Sequence, residues 1–305
     1  MKFPLSKYIW FDGKLVPVNM AKVPVTTHAI HYGTSIFEGI RAYWNSKNLH
    51  VFRLKDHVKR FRNSGKFYNI KLNFSDRQIE NAVIDLCKKN KIKKSCYIRP
   101  FYFVGQYGIN FHVTQKAPTH TAIFAFPFGD LFNKSGITTT ISKWRKFSDM
   151  STPTQAKMGG NYLNSILATQ DAKQRGFDEA ILLDQSGNVS EAPGENIFLV
   201  KNNKLVTPSL SSSALDGITR RSIITLAKDM KLKIKTQKVS KKELKMADEI
   251  FLSGTAAEIT PVIKIDKKKI GEGKVGNITK LFMATYSDIV MNKSENYSHW
   301  LTAVY

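Results

Sequence analysis

The chain has 305 residues, long enough for two domains, and 42% apolar with 11% aromatic side chains, a composition that buries a core and excludes a disordered chain. Its formal charge of +23 raises nucleic acid as a partner, yet 37 of the 47 basic residues are lysine and only 10 are arginine, the residue favoured for bidentate phosphate and base-edge contacts. The densest runs, Lys88–Lys94, Lys241–Lys245 and Lys267–Lys269, lie far apart and no nucleic-acid module accompanies them, so no nucleic-acid partner is expected.

The start, "MKFPLSKYIWFDG", has no uninterrupted apolar stretch followed by a small-residue cleavage site, and no apolar run approaches the roughly 18 residues that span a bilayer. The two cysteines, Cys87 in a helical pattern and Cys96 in a strand, lack metal-ligand spacing and make no disulfide framework. A soluble, unexported, cytoplasmic protein with no membrane partner is expected.

"YIWFDGKLVPV" sets an Asp12-Gly13 turn between two strand-like runs, a hairpin signal. "SIFEGIRAYW" and "LHVFRL" are further extended segments. Helical spacing follows: Val58, Phe61 and Phe67 in the first stretch, then Ile79, Val83 and Leu86 behind a Ser75 cap. "SCYIRPFYFVG" and "HTAIFAFPFG" return to strand, which makes this half a mixed sheet with two helices. A polar, glycine-containing stretch between about Gly129 and Gly136 marks a boundary. Beyond it come a helix after Tyr162, the strand "EAILLD", the turn "QSGN", the strand "NIFLV", the helix "TRRSIITLAKDM" and the strand "EIFLSG".

"AKMGGNYLNSILA" carries the candidate chemistry. A lysine is by default a solvated point charge, but Lys157 stands before Gly159-Gly160, a pair that admits close approach of a ring or positive φ, and Tyr162 adds a phenol. Such an amine can condense with an aldehyde, which raises pyridoxal phosphate as cofactor. That cofactor needs a phosphate cradle and a partner for its pyridine nitrogen. Two cradles present themselves: Gly217, Ile218 and Thr219 at a helix start, and Gly254, Thr255, Ala256 and Ala257 at a strand end. Arg60 offers a charged fork, or is an exposed helix arginine. Glu191 and Glu195 both offer a carboxylate between strands, and position does not choose between them.

"HAIHYGTSIFEGIRAY", "YIRPFYFVG", "KMGGNYLNSILA", "SEAPGENIFLV", "LDGITRRSI" and "ADEIFLSGTAAEITPV", in this order from about Tyr8 to the last helix, resemble the bacterial branched-chain amino acid aminotransferases among the fold type IV pyridoxal phosphate enzymes. The resemblance implies an α/β (α+β) two-domain fold with a smaller N-terminal domain (1–130), an interdomain loop (131–137), a larger C-terminal domain (138–305) and an active site between them. It implies that Lys157 forms the internal aldimine, that Tyr162 meets the cofactor's phenolic oxygen, and that Glu191 is the nitrogen partner. Arg60, Gly217, Ile218, Thr219, Gly254 and Thr255 would hold the phosphate. Tyr97 with Thr255, Ala256 and Ala257 would bind the substrate's α-carboxylate, and Tyr32, Phe37, Gly39 and Arg99 would line the side-chain pocket, Arg99 accepting the distal carboxylate of glutamate. The implied reaction is ping-pong exchange between branched-chain L-amino acids and 2-oxoglutarate by a homo-oligomer, dimer or hexamer. Three positions depart from the family pattern: Phe128 replaces a tryptophan, Leu131 a tyrosine, and Phe111 a smaller residue on a loop that in relatives reaches the neighbouring subunit's site.

Other motifs weigh less. "GEGKVG" (271–276) matches a dinucleotide fingerprint, but only 29 residues follow it and no βαβ unit can be completed. His28 and His31, three apart in an extended segment, point to opposite faces, so no metal is expected. The competing functions are a D-amino acid aminotransferase or an aminodeoxychorismate lyase of the same fold, and a lysine-rich nucleic-acid-binding protein.

Overall fold

The structure, a computed structural model, describes residues 5–305; the first four residues, part of the start read above for a leader, lie outside the described residues. The described chain divides into two compact units, residues through Gly129 with Ala156–Gly160 and Asp288–Tyr305, and Asp130–Gln155 with Asn161–Ser287.

In the first unit, strands β1 (Tyr8–Phe11) and β2 (Lys14–Pro17) form the hairpin, with Asp12 and Gly13 both at positive φ as its tight turn demands. Helix α1 (His28–Tyr32) and strands β3 (Ser35–Phe37), β4 (Ile40–Trp44) and β5 (Leu49–Phe52) follow. Helices α2 (Leu54–Lys66) and α3 (Asp76–Lys89) then lead to the long strands β6 (Cys96–Val104) and β7 (Thr119–Pro127). The pairs β1·β2, β1·β7, β7·β6, β6·β4, β6·β3 and β4·β5 all run antiparallel.

Periodicity explains the helices. On α2, Leu54, His57, Val58, Phe61, Ser64 and Gly65 are the buried positions, one stripe at helical spacing, and on α3 Ile79, Val83 and Leu86 are buried as their spacing predicts. Ser75 and Gln78 complete a reciprocal capping box at the start of α3. Phe67 departs from the expectation: it lies just past α2 and is exposed. The pleat of β6 sorts its side chains onto two faces. Ile98, Pro100 and Tyr102 face the core, where Tyr102 stacks edge-on against Phe61, while Tyr97, Arg99 and Phe101 face the other way.

The second unit contains β8 (Ile137–Arg145), α4 (Tyr162–Gln174), β9 (Glu179–Leu183), β10 (Asn196–Lys201) and β11 (Lys204–Pro208). Helix α5 (Ile218–Asp229), β12 (Ile234–Gln237), the short α6 (Lys241–Lys245), β13 (Glu249–Gly254), β14 (Glu258–Ile265) and β15 (Lys268–Lys269) complete it. Its sheet runs β12-β11-β10-β13-β14-β8-β9, with β15 beside β14, and mixes antiparallel with parallel pairs. After α7 (Asn277–Val290), β16 (Leu301–Ala303) pairs antiparallel with β5.

The second unit is not one continuous stretch over 138–305. Met158 makes a bridge to Ile36 of β3, and β16 adds to the edge of the first sheet, so both segments belong to the first unit.

Gly65 sits inside α2, where alanine would ordinarily stabilise a helix by about 1 kcal/mol. Here a Cβ would overlap Tyr102 Oη and lie 2.6 Å from the Ile70 carbonyl oxygen. Gly65→Ala is therefore expected to destabilise the protein, by about 1–3 kcal/mol, seen as a lowered thermal midpoint; an unchanged or raised midpoint would contradict the packing described.

Candidate active site

Lys157 is held by its backbone. Its N–H donates to Ser64 Oγ of α2 (3.0 Å), and its carbonyl accepts the Phe37 N–H of β3 (3.1 Å). The half-buried side chain places Nζ 4.8 Å from the centroid of the Phe37 ring. Positive φ is not what the following glycines provide. Neither Gly159 nor Gly160 has positive φ; a Cβ on Gly159 would overlap Ser35 Oγ, and the Gly160 N–H donates to the Gly33 carbonyl (3.2 Å). Gly159 is small so that the lysine segment can lie against Ser35.

Around the Phe37 ring stands the outward face of β6. Arg99 Cζ lies 4.7 Å from the same ring and 5.2 Å from the Tyr97 ring, and its Nη2 donates to Tyr97 Oη (3.1 Å). Arg99 Nε is buried without a hydrogen-bond partner within the protein, a donor that an oxyanion would satisfy. Phe126 and Phe128 lie 5.4 and 5.5 Å from Tyr97. Gly39 must be glycine, since a Cβ would overlap Tyr97 Oη. Tyr32 and Phe111 form a second aromatic pair, edge to face at 5.2 Å, with Phe111 81% exposed.

Arg60 is not an exposed helix arginine. Its side chain is 10% exposed and forked onto Glu38, Nε to Oε1 at 2.6 Å and Nη2 to Oε2 at 2.9 Å, while His57 Nδ1 lies 2.7 Å from Oε2. Burial alone would raise the Glu38 pKa, but the Arg60 guanidinium and the adjacent His57 outweigh it and hold the carboxyl far below its ordinary value. Burial lowers the His57 pKa below 6.5; Glu38 opposes this, and the Arg60 and Lys157 charges add to it. His57 is thus neutral at pH 7, and because an ionised carboxylate only accepts, its Nδ1–H is the donor.

In the second unit, Glu191 lies between β9 and β10 with its side chain 6% exposed. Its Oε1 pairs with Lys146 Nζ at 2.6 Å, and its Oε2 accepts Asn196 Nδ2 (3.1 Å) and the Leu215 N–H (2.9 Å). Glu195 instead turns back on its own loop and accepts the Gly194 N–H at 3.2 Å. Asn196 Nδ2 also donates to the Leu215 carbonyl (2.8 Å), and a Cβ on Gly217 would overlap Asn196 Oδ1. The start of α5 is thereby fixed beside Glu191. Gly217 caps α5 without a side-chain hydrogen bond, and the first turn, with Ile218 and Thr219, holds no acidic residue, so its N–H groups suit an anion.

The turn Thr255, Ala256, Ala257 joins β13 to β14, with Thr260 Oγ1 donating to the Ala257 carbonyl (2.8 Å). Gly254 admits no larger residue easily, its Cβ position being 3.2 Å from the Gly194 carbonyl oxygen. Tyr162 opens α4, half-buried, and Leu131 is exposed.

Two other motifs resolve differently. His28 and His31 lie on the five-residue α1, not in an extended segment; His28 is buried between Thr34 Oγ1 and the Asn110 carbonyl, and His31 meets the Val25 carbonyl. No cluster of metal-ligating side chains occurs among the described residues. After "GEGKVG", the start of α7 is occupied by Glu249, whose carboxylate accepts the Ile278 and Thr279 N–H groups, and a Cβ on Gly276 would overlap it. A phosphate is excluded there by charge.

Glu38, His57, Lys146 and Asn196 are not singled out by the sequence. The i, i+3 spacing of His57 and Arg60 and the lone acid in "SIFEGI" are the signals that point to the first group; no local signal links Lys146 to Glu191.

A carboxylate whose pKa is depressed by folding contributes stability that is complete above its unfolded value, 4.5 for Glu38, and is lost as the pH falls below it. Stability is expected to decline on acidification below about pH 4.5, with Glu38→Gln less stable at pH 7 and declining less steeply. Parallel acid limbs in denaturation of the two proteins would contradict this.

Comparison with known proteins agrees on one family. The model of the amino-transferase class IV family matches residues 35–265. The branched-chain-amino-acid aminotransferase of Salmonella typhimurium is 42% identical over 98% of this chain and 98% of its own. The crystal structure of the branched-chain aminotransferase of the archaeon Thermoproteus uzoniensis with norvaline superposes with a TM-score of 0.95 at 41% identity, covering 98% of this chain and 100% of that one. The T.th. branched-chain amino acid aminotransferase complexed with N-(5'-phosphopyridoxyl)-L-glutamate gives a TM-score of 0.95 at 39% identity, covering 100% of both chains.

Proposed function

The chain belongs to the class IV aminotransferases, and from that premise we propose that it transfers the amino group of leucine, isoleucine and valine to 2-oxoglutarate, reversibly and by ping-pong kinetics. The observation that carries the substrate reading is the outward face of β6: Tyr97, Phe37, Phe126 and Phe128 make an aromatic surface for a branched alkyl chain, and the Arg99 guanidinium, with a buried unpartnered Nε, stands within it for the distal carboxylate of glutamate. One surface would thus serve both donors. The curated relatives are named for branched-chain amino acids, which favours this reading over a D-amino acid aminotransferase, an aminodeoxychorismate lyase or a nucleic-acid-binding protein.

The residues fit pyridoxal 5'-phosphate as cofactor. The uncapped start of α5 suits its phosphate, and the fixed carboxylate of Glu191, tied to that helix start through Asn196, suits its ring nitrogen. In this reading Lys157 Nζ holds the cofactor aldehyde, Tyr162 meets the phenolic oxygen, and Arg60, Gly217, Ile218, Thr219, Gly254 and Thr255 hold the phosphate. Bound there, the cofactor supplies a sink for the electron pair left when the substrate α-carbon loses its proton. Lys157 Nζ takes that proton. Tyr97 with Thr255, Ala256 and Ala257 fixes the α-carboxylate, and Tyr32, Phe37, Gly39 and Phe128 shape the side-chain space, with Leu131 and Phe111 tuning it.

We read the protein as a cytoplasmic homo-oligomer, a dimer or hexamer. Val25, Ile30, Ile109 and Phe111, all more than half exposed, support a partner copy over this part of the first unit. No helix among the described residues is long and apolar enough to cross a membrane.

Lys157→Ala is expected to abolish turnover and the absorbance change on adding L-leucine, and D-leucine should produce no change in the unaltered protein. Arg99→Met should lower kcat/KM for glutamate by about 100-fold while that for leucine changes less than about 10-fold, because only glutamate leaves a carboxylate unpaired. Equal losses for both substrates would place glutamate recognition elsewhere.

A further inference from the structure

Glu38 occupies the two-residue link between β3 and β4, and its side chain is wholly buried. Its backbone N–H donates to the Pro100 carbonyl (2.8 Å), so the carboxylate is anchored to β6. A buried carboxylate must have its lone pairs met, and here they are met from one helix face: His57 and Arg60, three residues apart on α2, both reach it. The fork takes Arg60 Nε and Nη2, one edge of the guanidinium. Because the group is planar with five N–H donors in fixed directions, holding that edge sets the plane and the direction of every other N–H. His57 Nδ1 binds Oε2, the oxygen that Nη2 also uses, and so restrains the carboxylate against rotation about its own axis.

The charges match this purpose. Arg60 and Glu38 cancel, and with His57 neutral the three together carry no net charge, so the cluster is tolerable in a buried site and nothing repels a second anion beyond the single carboxylate. An arginine that had to find its geometry on binding would lose side-chain entropy at that moment. One fixed beforehand has lost it on folding.

We propose that Glu38 and His57 are positioning residues that preset the Arg60 guanidinium to receive a phosphate monoester, so that the protein prefers the phosphorylated cofactor to its unphosphorylated form through groups that do not themselves touch the phosphate. The inference rests on the reading above that Arg60 holds the cofactor's phosphate.

The test measures dissociation constants of pyridoxal 5'-phosphate and of pyridoxal for the apoprotein, prepared from the full-length enzyme by removing bound cofactor, and compares their ratio across variants. A purely structural role for the cluster would weaken both ligands together or lower only thermal stability. His57→Phe, which removes the Nδ1–H donor, is expected to cut the preference for the phosphorylated form by about 10-fold, and Glu38→Gln by about 100-fold, with pyridoxal affinity little changed. His57→Asn, whose Nδ2–H can replace Nδ1–H, should restore most of the preference. Arg60→Met separates the two claims. If it leaves the ratio unchanged, Arg60 does not hold the phosphate and the underlying assignment fails. If it lowers the ratio while His57→Phe keeps the parental value, the positioning role of the cluster is overturned. Should Glu38→Gln not fold, the contrast between His57→Phe and His57→Asn decides alone.

Discussion

The structure depends on a short backbone exchange between the lysine segment and β3. Five residues, Ala156–Gly160, leave a stretch of chain that belongs to the second unit and join the first, where Phe37 and Lys157 share a hydrogen bond and Met158 bridges Ile36. Such a contact has no side-chain freedom to accommodate error, which is why glycines stand at 33 and 159: a Cβ on Gly33 would press on the Gly160 backbone, and one on Gly159 would overlap Ser35 Oγ. The result is a lysine whose root is fixed from two sides, from β3 and from Ser64 of α2, while its amine lies over the Phe37 ring. A reactive amine is useful in proportion to how well its position is defined.

Two buried carboxylates, one in each unit, are handled in the same manner. In the first unit Glu38 is matched by Arg60 and a neutral histidine; in the second, Glu191 is matched by Lys146, an asparagine amide and a main-chain N–H. Neither carboxylate is left to water, and each has its charged partner on a segment remote from it in sequence, so that moving one segment would leave a charge uncompensated in a poorly solvated place. Buried ion pairs of this kind contribute little to net stability compared with apolar packing, but they define orientation sharply, which suits the cofactor-binding roles proposed for Arg60 and Glu191.

Much of this is legible in the residues. The Asp12-Gly13 turn, the Ser75 cap, the buried stripe of α3 and the helix start at Gly217 follow from local chemistry, because caps, turns and periodic burial depend on neighbours within a few positions. Phe67 misleads because its spacing continues a pattern past the residue where α2 ends. The histidines of α1 read as extended because five residues are too few for a helical period to show. What local chemistry does not reveal are contacts between remote segments: Lys146 with Glu191, Glu38 with the α2 face, and the lysine segment with β3. The resemblance implies roles for Lys157, Glu191 and Arg60, but not the residues that hold them in place.

The central claim is that one amine among 37 lysines carries the cofactor. Borohydride reduction of the cofactor-loaded protein, followed by proteolysis and mass spectrometry, locates the pyridoxyl group on the chain directly. The account predicts that it is found on the peptide containing Lys157 and on no other; a pyridoxyl group on a different lysine, or none on any peptide from protein shown to bind the cofactor, would contradict it.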